Sequence, residues 1–350
     1  MNDNISNLTL NDENTHLPKL LEHMGKKHYL EENAIGIIGE SGDYDIMSTY
    51  LSYVVGGESW GVDRQNLRLS AFMAVPKSSR GKMNDNDFIS NRIDPVHSTG
   101  NMVVTMNDDH VDLDIDGQHL ISRPPYWELK GEAHNGIKYD IVGKATGPAV
   151  WSLGKYEDMI ENGMAGYDLG MSYEGSITAN GVEYKLDPGT LGNRQYVTIG
   201  DKWVSGALLE RYSKHAYIWA TCENAEVFVW IKEATNMVLG RTVIDGETVE
   251  FAPEEVNVEE LEHWVDPRSG LNLPVKWRVN MKNDKGHASL EITAYARYIY
   301  SFCQAGGVIS YVAKLARSYG EVVQNGKKVD MVDARTQVET GIYTLPLGVG

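Results

Sequence analysis

The sequence predicts an all-β protein of many short antiparallel strands, arranged as barrels or sandwiches and built from a duplicated domain. Three observations predict it. Alternating runs rich in β-branched and aromatic residues dominate the chain, with Gly-containing turns between them. One hairpin is spelled twice, as "YEGSITANGVEYKL" (173–186) and "YGEVVQNGKKVDM" (319–331), each turning on Asn-Gly. Both central residues of a type I′ turn need positive φ, which makes Asn-Gly between alternating runs a strong hairpin signal. Third, other motif pairs recur in one order at similar offsets.

In chain order, the strand segments are "DYDIMSTYLSYVV" (43–55), "NLRLSAFMAV" (66–75), "NMVVTM" (101–106) and "HVDLDI" (110–115). They continue with "KHAYIWATCE" (214–223), "EVFVWI" (226–231) and "ASLEITAYARYIYSF" (288–302). Helical patterns are few and short: about 17–32, about 154–163, and the acidic "PEEVNVEELEHW" at 253–264.

The repeat extends past the hairpin. "DIDGQHLI" (114–121) matches "VIDGETVEF" (243–251) by its Asp-Gly turn, and "PPYWEL" (124–129) matches "PVKWRV" (274–279) by Pro and Trp three apart. "KYDIVGKA" (138–145) aligns with "SLEITAYA" (289–296), and the Asn-Gly hairpins close both series. The offsets are 129, 150, 151 and 145, a spread that loop insertions produce. The series predicts β domains at 1–205 and 206–350, meeting face to face with the main cavity near their junction.

Composition narrows the function. The chain has 350 residues, 42% of them hydrophobic, and its rings are 19 Tyr and 8 Trp against 5 Phe. Such rings carry a polar handle. A net charge of −17 argues against nucleic acid or an anionic membrane as partner. No apolar run approaches the roughly 18 residues of a membrane span. The start, "MNDNISNLTLNDENTH", has no basic and apolar signal-peptide pattern. Cys222 and Cys303 read as buried thiols of a reducing cytoplasm. "GESWG" (57–61) matches a nucleophile elbow at Ser59, but the strand-like "VDRQNLRLSAFMAV" follows where a helix is needed, so it reads as a hairpin loop. "GIIGESG" (36–42) leads into no helix and does not read as a phosphate cradle. The ten histidines form no metal-ligand spacing, so neither a metal nor a cofactor is expected.

Strand faces supply the candidate site. In "KHAYIWATCE" one face carries Lys214, Ala216, Ile218, Ala220 and Cys222, and suits packing. The other carries His215, Tyr217, Trp219, Thr221 and Glu223, rings with hydrogen-bonding groups that suit a cavity wall. The same division of "SLEITAYARYIY" puts Glu291, Thr293, Tyr295 and Arg297 together. "DYDIMSTYLSYVV" offers Asp45 and Tyr53 on one side, and Tyr44 and Tyr50 on the other. The candidate acids and bases are therefore Glu223, His215 and Glu291. The candidate binding rings are Tyr217, Trp219, Trp230, Tyr50, Tyr53, Tyr126, Trp127 and Tyr295. An apolar enclosure with such groups suits two cofactor-free reactions. One protonates an electron-rich C=C with a buried acid; the other folds a polyene into a reactive conformer.

The order of motifs resembles the two-domain lipocalin-like family of carotenoid 1,2-hydratase and AttH-type proteins, whose relatives include fungal decalin-forming Diels–Alderases. The residues that carry the resemblance are "YEGSITANGVEYKL" followed by "GNRQYVTIGDKW", then "LPVKWRVNM", and the closing "GEVVQNGKKVDMVDARTQVETGIY" with Glu339-Thr340-Gly341-Ile342-Tyr343. It covers roughly residues 100–350. The Trp-rich strand usual near the family's start is replaced here by "DIMSTYLSYVVGGESW". The resemblance implies tandem lipocalin-like β-barrels binding an apolar polyene-, isoprenoid- or polyketide-like molecule. Its hydratase side implies hydration or dehydration of C=C, and its Diels–Alderase side implies pericyclic cyclisation. A non-catalytic carrier of an apolar ligand is the further alternative.

Overall fold

The computed structural model describes residues 4–25, 29–57, 62–85, 102–133, 136–200, 215–232, 237–304 and 307–344. Ser59 and Lys214 lie outside the described residues. The first sheet contains β1 (Tyr29–Ser41), β2 (Tyr44–Gly57), β3 (Val62–Pro76), β4 (Met102–Met106), β5 (Val111–Ile115) and β6 (Gln118–Arg123). It continues with β7 (Tyr126–Glu132), β8 (Lys138–Ala145), β9 (Met164–Ala179), β10 (Val182–Lys185) and β11 (Leu191–Ile199). The second contains β12 (His215–Cys222), β13 (Ala225–Lys232), β14 (Met237–Ile244), β15 (Glu247–Phe251) and β16 (Val256–Val265). Its remaining strands are β17 (Asn272–Lys282), β18 (Gly286–Gln304), β19 (Gly307–Gln324) and β20 (Lys327–Thr344).

Both sheets are antiparallel and curled, in the order β3-β2-β1-β11-β9-β8-β7-β6-β5-β4 and β15-β14-β13-β12-β20-β19-β18-β17-β16. The chain is all-β with tandem lipocalin-like half-barrels. All four X-Gly turns of the repeat have positive φ at both central residues, for instance +51° and +76° at Asn180-Gly181 and +49° and +80° at Asn325-Gly326. The Pro-x-x-Trp strands β7 and β17, the next strands β8 and β18, and the strands β9 and β19 occupy matching places. The Asp-Gly hairpins do not. Asp116-Gly117 joins β5 to β6 beyond β7, whereas Asp245-Gly246 joins β14 to β15 at the opposite end of its sheet order.

Two helix expectations change. The pattern at 17–32 is helical only over α2 (Leu17–Met24), which follows the single turn α1 (Leu10–Glu13), and the chain is in strand from Tyr29. Glu31 on β1 receives the N-terminus of α2, accepting from His16 N at 2.7 Å and Leu17 N at 3.1 Å. That carboxylate satisfies donors the helix cannot. The acidic stretch 253–264 becomes one 3₁₀ turn and then β16, an edge strand on β17 with register shifts around Glu260 and Glu262. Partner pairing overrides its helix propensity. At 154–163 the helix is short: a 3₁₀ turn leads into α3 (Met159–Asn162). No helix among the described residues is long and apolar enough to cross a membrane.

Two apolar cores fill the concave sides of the sheets, and a third lies between them. Ile46, Tyr50 and Phe72 point into the first core; Ile218, Trp277 and Ile292 point into the second. Met47, Leu51 and Met73 point the other way, out of the first sheet, against Tyr295, Tyr298, Ala313 and Leu315 of the second. Strand β2 is therefore buried on both faces, which explains why "DIMSTYLSYVV" has no solvent-facing side.

One end of this junction is ionic. Asp45, 1% exposed, accepts from Arg80 at 2.6 and 2.7 Å, from Arg317 at 2.7 Å and from Tyr295 Oη at 3.0 Å. Glu40 binds Lys77 at 2.5 Å, Arg80 at 3.0 Å and Arg317 at 3.2 Å. Arg317 comes from β19 and the acids from β1 and β2, so the cluster ties the sheets together. Desolvation would raise the Glu40 carboxyl, but hydrogen bonds from Lys77 and Arg317 hold it at about 2, against an ordinary 4.5.

Asp45→Ala should cost about 1–3 kcal/mol in chemical denaturation, because it removes the buried acceptor that two guanidiniums share and leaves them Glu40 and Asp333. With its pKa depressed on folding, Glu40 contributes stability above pH 4.5 that is lost as pH falls towards about 2. Glu40→Gln should flatten that part of the acid-unfolding curve.

Candidate functional site

At the junction the apolar layer opens into a cleft of about 810 Å³, mouth included. Leu30, Ala34, Leu51 and Val197 form its apolar wall on the first sheet, beside Glu32 and Tyr53. Asn193 and Gln195 of β11 add amides. The second sheet supplies His215, Tyr217, Trp230, Tyr311, Gln337 and Glu339. A Cβ at Gly36 would lie 2.1 Å from Asn193 Oδ1, so a larger residue there would displace that amide.

Two polar devices face this cleft. His215, 6% exposed, packs edge-on to the Tyr311 ring at 5.4 Å, with Nε2 3.9 Å from Glu339 Oε1. In the second, Asn193 Nδ2 donates to Tyr217 Oη at 2.5 Å, and Tyr217 hydrogen-bonds the fully buried Asp168. Asp168 also accepts from Ser152 Oγ at 2.6 Å and Gln195 Nε2 at 2.8 Å. Burial pushes the Asp168 carboxyl up, against the opposing pull of the Arg241 charge. Burial likewise lifts Tyr53 and Tyr217 far above the ordinary phenol range, so both hydroxyls stay protonated. The arrangement can hold an oxygen by hydrogen bonds and move a proton from either side.

Of the residues singled out in the sequence, His215, Tyr217, Trp230 and Tyr53 line the cleft. Trp219, 2% exposed, sits one repeat further along β12, packed on Phe228 at 5.2 Å and stacked near Tyr217 at 6.5 Å. Tyr50 points into the first barrel, edge-on to Tyr139 at 6.5 Å, and Trp127 is buried in the same core. Tyr126 is 47% exposed, with the Lys144 ammonium over its ring. Tyr295 belongs to the Asp45 cluster. Glu223 lies in the exposed turn after β12, because that strand ends at Cys222. Glu291 faces solvent, bonded to Arg278 at 3.0 Å, because Leu290 and Ile292 take the interior. Neither acid reaches the cleft.

Arg297 does not share the face of Glu291. A bulge between Ala294 and Ala296 shifts the alternation, so that Tyr298 faces the first sheet and Arg297 turns inward to Asp266. Asp168, Asn193, Gln195, Gln337 and Glu339 were not singled out in the sequence. Their one signal was polar residues placed inside strands, as in "GYDLGMSY" and "RTQVETG", a pattern shared with solvated sheet faces.

Fold and cleft together define a tandem lipocalin-like protein with its cavity between two sheets. No family model matches the chain, and no curated protein matches it by sequence. By structure it is similar to an AttH-like protein of Nitrosomonas europaea, with a TM-score of 0.57, 12% identity, and 91% of this chain and 93% of that one covered. CghA superposes with a TM-score of 0.57 at 12% identity, covering 92% of this chain and 90% of its own. In its crystal structure with Sch210972, CghA gives 0.55, 12% identity, 90% and 88%. At such identity the likeness establishes the fold, which is the one the closing strands resemble.

Lys314 of β19 lies inside the second barrel, away from the cleft. Its Nζ donates to Thr340 Oγ1 at 2.6 Å and Val312 O at 3.3 Å, and sits 5.6 Å from the centre of the Trp277 ring. Burial lowers its pKa from 10.5 to about 7, against the pull of Glu339 and Glu260. Between those values the unfolded chain binds more protons, so native stability rises with pH; below about 7 the full penalty is present. Lys314→Met should therefore stabilise the protein at neutral pH by on the order of 3 kcal/mol. Denaturation midpoints of the two proteins should converge towards pH 10.5.

Proposed function

We propose that this chain is a cofactor-independent enzyme that binds an apolar, unsaturated small molecule in the cleft and catalyses hydration or dehydration of a C=C bond. The observation that carries this reading is one cleft with an apolar wall that holds both the His215–Glu339 pair and Tyr217 backed by Asp168. The apolar body of the substrate, polyene-, isoprenoid- or polyketide-like, lies against Leu51, Val197 and Trp230. Asn193 and Gln337 orient a substrate oxygen. In the hydration direction, one acid gives its proton to carbon, water adds to the neighbouring carbon, and the resulting oxonium returns a proton to a base. In this reading His215 is one acid and Asp168 the second, working through the Tyr217 hydroxyl.

A second reading, cyclisation of a polyene, draws support from the row of hydrogen-bond donors beside an apolar wall. It also draws support from the shared fold of CghA, crystallised with Sch210972. In that case shape and a polarised carbonyl accelerate the reaction without proton transfer to carbon.

Turnover of isoprenoid and polyketide polyenes in D₂O separates the readings. Hydration adds the mass of water and leaves one non-exchangeable deuterium on carbon. Cyclisation changes neither mass nor carbon-bound deuterium, and a carrier binds without turnover. His215→Gln should lower turnover about 10²–10⁴-fold while polyene binding, read by Trp fluorescence, persists. Full rates in both His215→Gln and Asp168→Asn across about pH 5 to 8 would refute proton transfer from this cleft.

A further inference from the structure

A second cavity of about 480 Å³ lies beyond Trp219, where the segment Val150–Ser152 of the first half meets β13, β14 and β15. Its apolar wall is Trp151, Phe228, Leu239 and Phe251; its charged groups are Arg241 and Glu250. Arg241 is the unusual member. It is 3% exposed, and its Nε and Nη1 have no hydrogen-bond partner among the described residues. Its guanidinium carbon lies 4.7 Å from the centre of the Phe228 ring and 5.0 Å from that of Trp219.

Three carboxyls surround this cation, and none forms an ion pair with it among the described residues. Glu226 accepts instead from Thr146 Oγ1 at 2.9 Å, across the junction. Asp168 is taken up by Ser152, Gln195 and Tyr217. Burial raises the pKa of both, against the opposing pull of the Arg241 charge. Glu250, directly across the strand pair from Arg241, is exposed. Leaving a guanidinium desolvated costs several kcal/mol, and two ring faces offset only part of that cost. The fork of a guanidinium matches a carboxylate bidentately, and the adjoining walls are apolar and aromatic.

We propose that this cavity is a second ligand site, taking a small carboxylate with an aromatic or aliphatic body. The carboxylate takes the terminal Nη1–Nη2 edge of Arg241, and the body lies between Trp151 and Phe251. The site is separate from the cleft and does not depend on the proton-transfer reading. Phe228 and Trp219 form the wall towards Tyr217, whose ring centre lies 5.1 Å from that of Phe228.

Calorimetric titration of the full chain with benzoate, cinnamate and octanoate, each beside its neutral amide, tests the site. At least one carboxylate should bind, with its amide weaker by about tenfold or more. Arg241→Lys should lose most of that preference, since it keeps charge and loses the fork. Trp151→Ala should weaken acid and amide alike, and His215→Gln in the cleft should leave both unchanged. Equal binding of acids and amides, or no binding of any acid at millimolar concentration, would overturn the proposal. Competition between cinnamate and a polyene bound in the cleft would overturn it as well, by making one site of two. The wild-type comparison needs no variant to fold.

Discussion

The structure depends on one covered surface. Strands β1, β2, β3 and β11 are apolar on both sides, so the first sheet cannot leave its convex face in water. Among the described residues that face packs on the outer side of β18 and β19, and the Asp45–Arg80–Arg317 cluster pins this cover at one end. A buried carboxylate between two guanidiniums adds little net stability when intact, yet it strongly penalises any arrangement that separates them. Apolar area thus supplies the attraction between the sheets, and the ionic cluster supplies their registration.

The same covering creates the site. Where side chains of the two outer faces are bulky and complementary they close; where β1 carries Gly36 and β11 carries amides they leave a cleft. Its polar groups come from both halves: Asn193, Gln195 and Asp168 from the first, His215, Tyr217 and Glu339 from the second. Neither sheet alone lines the cleft. The interior of each barrel, by contrast, is filled by its own rings, as with Tyr139 and Trp127 in the first and Trp277 in the second.

Several of these residues were legible because period-two alternation is a local property of a strand. Ala216, Ile218 and Ala220 against His215, Tyr217 and Trp219 is a division that β12 retains, with its small residues in the second core. Asn-Gly and Asp-Gly were legible for the same reason, since positive φ at two successive residues is a demand of the turn itself. Position along a strand was less legible. His215 and Tyr217 reach the cleft while Trp219, on the same face, is sealed beneath Phe228 and Arg241.

The sequence by itself determined the all-β class, the hairpins and which side chains of an unbroken strand share a face, because backbone sterics and pleat act over neighbouring residues. Tertiary structure alone decided the rest. It turned 253–264 into an edge strand by offering β17 as a partner, it left Glu291 in solvent opposite Leu290 and Ile292, and it put Arg297 inside through one bulged residue in β18. It also brought Glu339 to His215 and Asp168 to Tyr217, residues from distant strands. Such pairings depend on register, curvature and the docking of two sheets, which are sums over long-range contacts that no local pattern records.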